Sequence, residues 1–112
     1  MLFAADPGFR RQPNLAQFWS HLRGPRYAVD FAGAAHFAFS DLVFLVPQLA
    51  GTDEAAAQAR LRPLIGTVNP AVAYAAERAY VLAYFDRALN GEGPVPTRID
   101  AFPGVRITAA DH

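Results

Sequence analysis

The chain has no cysteine, no lysine and no long uninterrupted apolar run. The first absence excludes disulfides, thiolate metal sites and a cysteine nucleophile, and leaves the redox compartment open. The second makes all ten basic residues arginine. They balance ten acidic residues and are scattered singly or in pairs, so no basic face or counterion-release footprint points to nucleic acid. The arginine bias fits coding composition as well as selection for bidentate pairing, and it carries no functional reading. The apolar run Leu42 to Pro47 is far short of the ~20 residues that span a bilayer. The opening MLFAAD has neither a basic region nor a long apolar core, so it does not read as a signal peptide. The expectation is a soluble chain, or one buried in something soluble, cytoplasmic or secreted with any signal lying upstream. No His/Asp/Glu spacing suggests a metal, and no cofactor motif is present.

What is there is the composition of a globular protein: 112 residues, 53% hydrophobic and 18% charged, with nine Phe and four Tyr. A chain this size is one domain at most and can bury about two thirds of its unfolded surface. Met1 to Ala5 reads as a buried strand ended by the turn signal Asp6-Pro7-Gly8. Asn14 can cap a helix whose Leu15, Phe18, Trp19 and Leu22 form one stripe, stopped by Gly24-Pro25. Tyr27, Val29 and Phe31 then alternate with Ala28 and Asp30 as in a strand. Strand, helix, strand predicts a βαβ unit with parallel strands.

After the turn Ala32 to Phe39, Ser40 is an N-cap candidate and Asp41 suits the positive end of a helix that is apolar on nearly all sides. Pro47 should kink or end it, and Thr52 should cap an Ala-rich helix reaching about Leu61, before Pro63. The strongest helix signal is Asn69 as cap, Pro70 at the first position and Gly91 just past the end. Its charges are spread round the circumference, which predicts a mostly buried closing helix, and its tyrosines are expected in the core with hydroxyls reaching outward. Residues 93–112 are Pro/Gly-rich and read as an extended tail beyond a domain of residues 1–92.

His36 follows a strand in a turn of small residues, Gly33, Ala34 and Ala35, an arrangement that presents an imidazole for general-base work or for hydrogen bonding to a loop backbone. His21 and the terminal His112 read as solvated. The run Gly33-Ala34-Ala35-His36-Phe37-Ala38-Phe39-Ser40-Asp41-Leu42 resembles the histidine-bearing loop near the C-terminus of α/β-hydrolases. It is most similar to that of bacterial lipases and esterases akin to platelet-activating-factor acetylhydrolase and dienelactone hydrolase. The similarity continues in Phe18-Trp19-Ser20-His21-Leu22-Arg23-Gly24, Gly66-Thr67-Val68-Asn69-Pro70 and Tyr80 to Gly91, so it spans nearly the whole chain in order.

This resemblance implies a partial α/β-hydrolase fold: the last two parallel strands, the crossover helix between them and the C-terminal helices. It implies carboxylic ester hydrolysis through a serine acyl-enzyme, with His36 as the triad base. The family's serine sits in a G-x-S-x-G elbow. Here Ser20 is mid-helix and Ser40 is at a helix start, so the nucleophile is absent and the chain alone is expected to be inactive. Asp6 stands where dienelactone-hydrolase-like enzymes carry their acid, and also reads as a turn-forming aspartate in Asp-Pro-Gly, the acid then lying upstream. The implied partner is the upstream part of the hydrolase domain, or another subunit, carrying the serine. The alternative is a non-catalytic α/β module that associates through an open sheet edge, including as a homo-oligomer.

Overall fold

The computed structural model describes residues 1–49, 51 and 53–111. Strand β1 (Leu2–Ala4) is followed by a 3₁₀ turn (Phe9–Arg11), helix α1 (Pro13–His21) and strand β2 (Arg26–Phe31). A second 3₁₀ turn (His36–Phe39) leads into helices α2 (Leu42–Leu49), α3 (Glu54–Ile65) and α4 (Pro70–Phe85). The chain closes with a π-type turn (Asp86–Asn90), a third 3₁₀ turn (Pro96–Arg98) and strand β3 (Val105–Ala110).

The three strands form one mixed sheet in the order β1-β2-β3. β1 and β2 are parallel, with Leu2 opposite Ala28 and Ala4 opposite Asp30. This is the pairing a helical crossover requires, because parallel neighbours cannot be joined by a tight turn. β3 runs antiparallel to β2 with Val29 opposite Ile107. Residues 105–110 are therefore part of the sheet and not a tail, and the fold has one antiparallel pair beyond the two parallel strands expected. Val105 and Ile107 lie against the larger core, so burial of their side chains supplies a reason for this segment to dock.

Strand alternation sorts side chains to two faces. On one face Ala4 and Ala28 pack with Phe9 and Trp19, flanked by Leu2, Leu15 and Leu22. The Phe9 and Trp19 rings are 5.0 Å apart, and the Arg26 guanidinium lies 5.2 Å over the indole. On the other face Val29 and Phe31 join Ala38, Val43, Ile65, Ala76 and Tyr80 in the main core. The Phe31 ring meets Phe39 at 5.1 Å and Phe3 at 5.9 Å. The sheet is thus covered on both sides, as its parallel pair requires.

Local signals set most helix boundaries. The Asn69 side chain accepts from Ala71 N and Val72 N at 3.0 and 3.2 Å, Pro70 occupies the first helical position, and Gly91 adopts a left-handed conformation beyond the end. Asn69→Ala is expected to cost about 1 kcal/mol, read as a lower urea midpoint at unchanged m-value. Elsewhere the pattern misplaces caps. α1 begins at Pro13 with Gln12 as its cap residue, so Asn14 lies inside the first turn. Gln12 Nε2 donates to Ala5 O at 3.0 Å. α3 continues through Pro63 to Ile65, and Asp53 caps it by accepting from Ala56 N at 2.9 Å. The expected cap at Thr52 and the terminal His112 lie outside the described residues. α2 leaves Phe44 and Leu45 exposed, although its composition points to burial.

Candidate active site

At the carboxyl end of β2 the chain turns through Ala32 and Gly33, the latter at φ +75°. This turn is tied to the α3–α4 connection by main-chain hydrogen bonds. Thr67 N donates to Gly33 O at 2.7 Å, and Ala35 N donates to Ile65 O at 3.0 Å. Gly66, at φ +80° and ψ −153°, lies directly on the Gly33–Ala35 backbone. A β-carbon at Gly66 would overlap the Gly33 carbonyl oxygen, which is why the sequence places a glycine there. The loop bearing His36 is therefore held by backbone on both sides.

The 3₁₀ turn that follows divides its side chains. Ala34 and Ala38 are buried, whereas His36 and Phe37 are exposed, with the imidazole and phenyl rings edge-to-face at 5.1 Å. Among the described residues His36 makes no hydrogen bond or ion pair. Its ring nitrogens are thus open to an incoming group. The Ser40 side chain does not cap α2: its hydroxyl donates to Phe37 O at 2.7 Å and closes the 3₁₀ turn, while the Ser40 and Asp41 carbonyl oxygens accept from Val43 N and from Phe44 N and Leu45 N. Ser20 likewise donates to Gln17 O at 2.7 Å within α1, beside an exposed His21 whose Nδ1 sits 2.7 Å from the same carbonyl oxygen. Neither serine stands at a strand-to-helix elbow.

Asp6, thirty positions before His36, is brought to the same loop. Its N–H donates to Ala34 O at 3.0 Å. The carboxylate itself is exposed and makes no hydrogen bond or ion pair to His36 among the described residues. It lines a cavity of about 380 Å³ together with Gly8, Asp30, Phe31 and Arg106; His36 does not line that cavity. Backbone proximity is therefore present without the carboxylate–imidazole contact of a triad.

Two acidic residues gain meaning only from the structure. Asp30 Oδ1 accepts from Phe9 N at 2.8 Å, fixing the 3₁₀ turn after β1, and Gly8 packs so closely on this carboxylate that a β-carbon there would lie 3.2 Å from its Cγ. The sequence signal for it is a carboxylate set between the apolar Val29 and Phe31 of the strand. Glu77, on α4, is half-buried, and its carboxyl pKa is raised above 4.5 by burial first and by the nearby Asp41 charge second. A raised folded-state acid pKa means the folded form holds the proton more tightly, so this contribution is present below about pH 4.5 and is lost as pH rises through the raised value. Glu77→Gln is expected to raise the melting temperature at pH 7 and to leave it unchanged near pH 4, as thermal unfolding at the two pH values would test.

Among the described residues no group of three or more His, Asp or Glu could hold a metal ion, and no helix is long and apolar enough to cross a membrane. Comparison of the chain with protein-family models, with curated proteins and with solved structures finds no match in any of the three. The mixed α/β architecture with a three-stranded sheet stands on the structure itself.

Proposed function

We propose that this chain is the C-terminal portion of a serine-dependent carboxylic ester hydrolase and supplies the histidine base, the nucleophilic serine being carried by an upstream part of the domain or by another subunit. The observation that carries the reading is the exposed, unengaged imidazole of His36 on a backbone-locked turn at the carboxyl end of a parallel strand. Active-site side chains in α/β sheets concentrate at those strand ends. The resemblance of Gly33 to Leu42 to the α/β-hydrolase histidine loop supports the same assignment.

In the assembled site, the serine hydroxyl attacks the ester carbonyl as His36 takes its proton. Collapse of the tetrahedral intermediate expels the alcohol, which receives that proton from His36. Water, deprotonated by His36 in turn, releases the acid and restores the serine. Asp6 is the candidate for the carboxylate that orients the imidazole, a role that requires its side chain to turn toward His36 on assembly. No step uses a metal or cofactor. The chain alone lacks the nucleophile and the oxyanion donors that supply most of the rate.

The second reading is a non-catalytic α/β module that associates through its sheet edge. It is favoured by the missing Asp6–His36 contact and by β1, which has β2 as its one neighbour in the described sheet. The readings separate in a labelling experiment with a fluorophosphonate serine probe. The ester hydrolase reading expects no labelling of this chain by itself and labelling of an added upstream, G-x-S-x-G-bearing polypeptide that depends on this chain being present. Absence of labelling in the combined sample, with both polypeptides folded, would sink it.

A further inference from the structure

Helix α4, with the π-type turn Asp86–Asn90 that continues it, buries three alanines and Tyr80 and leaves large apolar residues outside. Ala73, Ala76, Tyr80 and Ala83 face the core, whereas Leu82, Phe85 and Leu89 are 51%, 52% and 75% exposed. The last three fall on successive turns and make one apolar stripe, contrary to the mostly buried helix its composition predicts. Toward the N-terminus the same stripe passes through Ala79, Arg78 and Ala75, of which Arg78 and Ala75 are exposed and Ala79 half-buried. Its apolar members are therefore small at one end, Ala75 and Ala79, and large at the other, Phe85 and Leu89, with Leu82 between them.

Charge reverses along it as well. Arg78 precedes Leu82 by one turn and Asp86 follows by one turn, and neither has an ion-pair partner among the described residues. Asp86 belongs to this side of the helix, since with Ala79, Leu82, Arg98 and Asp100 it lines a groove of about 380 Å³. Arg87 is directed elsewhere, to a separate cavity beside Tyr27 and Tyr84.

We propose that this stripe is a homodimer interface, in which α4 packs antiparallel against α4 of a second copy about a two-fold axis at Leu82. That placement is self-complementary, as a two-fold contact must be. Leu82 meets its own counterpart. Phe85 enters the groove beside Ala79 of the other copy, Leu89 covers Ala75, and Arg78 stands opposite Asp86, each contact occurring twice. A parallel pairing would instead set Arg78 on Arg78 and Phe85 on Phe85, placing like charges and large side chains against each other. The occupant that fits both the size gradient and the charge reversal is thus another α4. This dimer is independent of the ester hydrolase assignment, and it uses no residue of the His36 loop.

Light scattering during gel filtration is expected to give twice the 12.1 kDa chain mass. Leu82→Glu places two like charges on the axis and should raise the dimer dissociation constant by about tenfold or more. The far-ultraviolet spectrum should stay unchanged, because Leu82 is exposed within each copy. The natural chain has no cysteine, so cross-linking reads the register directly. A Leu82→Cys variant is expected to oxidise to a dimer with itself. Ala75→Cys and Leu89→Cys should cross-link when mixed and not when alone, since a disulfide tolerates only about 4–7 Å between α-carbons. A monomer at all concentrations, or a Leu89→Cys variant that pairs with itself faster than Leu82→Cys does, would overturn the proposal.

Discussion

Gly66→Ala is expected to cost on the order of 4 kcal/mol or more, most of the stability of a domain at the low end of the usual range of about 5–15 kcal/mol. Two costs combine. Gly66 has φ +80° and ψ −153°, a region open essentially to glycine alone. Its missing β-carbon would also overlap the Gly33 carbonyl oxygen and come within 2.7 Å of Ala35 N. Both neighbours are main-chain atoms, and both belong to the segment whose hydrogen bonds hold the His36 turn to residues 65–67. Neither can yield without breaking those bonds. Gly24→Ala carries a positive-φ cost without a clash, because Gly24 has φ +75° with nothing within 4 Å of the added carbon, and it should lose only about 1–2 kcal/mol. Urea unfolding of the two variants side by side reads how much more the Gly66 site costs than a positive φ in open space. Equal midpoints would mean that the loop contact does not hold the turn.

Much of this loop could be read from the residues, and the reasons for the failures are physical. Signals that act within one turn of chain survived into three dimensions: Asn69, Pro70 and Gly91 bound their helix because capping needs only neighbouring backbone groups. Signals that compete locally did not. At the start of α1, Pro13 fills the first helical position ahead of Asn14, and Ser40 finds a closer carbonyl in Phe37 than any amide of α2. β3 shows the alternation Val105, Ile107, Ala109, but the Pro/Gly-rich stretch before it conceals that pattern, and its pairing partner lies some eighty residues away. Non-local pairing of this kind carries no local signature.

The site divides along the same line. The exposure of His36 follows from the small residues around it, since Ala34 and Ala38 sink into the core and leave the intervening side chain outside. The partner of Asp6 could not be foreseen from spacing: the loop brings its amide to Ala34 and leaves its carboxylate without a contact to His36 among the described residues. Likewise the burial of α4 was inverted. Its wheel shows apolar residues all round, and the side turned to the core holds Ala73, Ala76 and Ala83 with Tyr80, which leaves Leu82 and Phe85 outside.

The second large effect concerns chemistry. If His36 is the base, its loss removes proton transfer in both acylation and deacylation, and a triad works as a unit, so the rate should fall by about 10⁴-fold or more. The fold should be indifferent to the change, since the imidazole is exposed and its one ring contact is to the exposed Phe37. Asp6→Asn should act in the same direction if its carboxylate orients the imidazole, while leaving the Asp6 N–H to Ala34 O bond intact.

The most direct measurement is the initial rate of p-nitrophenyl acetate hydrolysis by this chain mixed with the proposed upstream, G-x-S-x-G-bearing polypeptide, compared between the natural chain and His36→Ala at equal circular dichroism. Assignment of His36 as the base requires hydrolysis in the natural mixture, none above background with this chain alone, and a loss of about 10⁴-fold in the variant mixture. A variant mixture that hydrolyses the ester as fast as the natural one would contradict it.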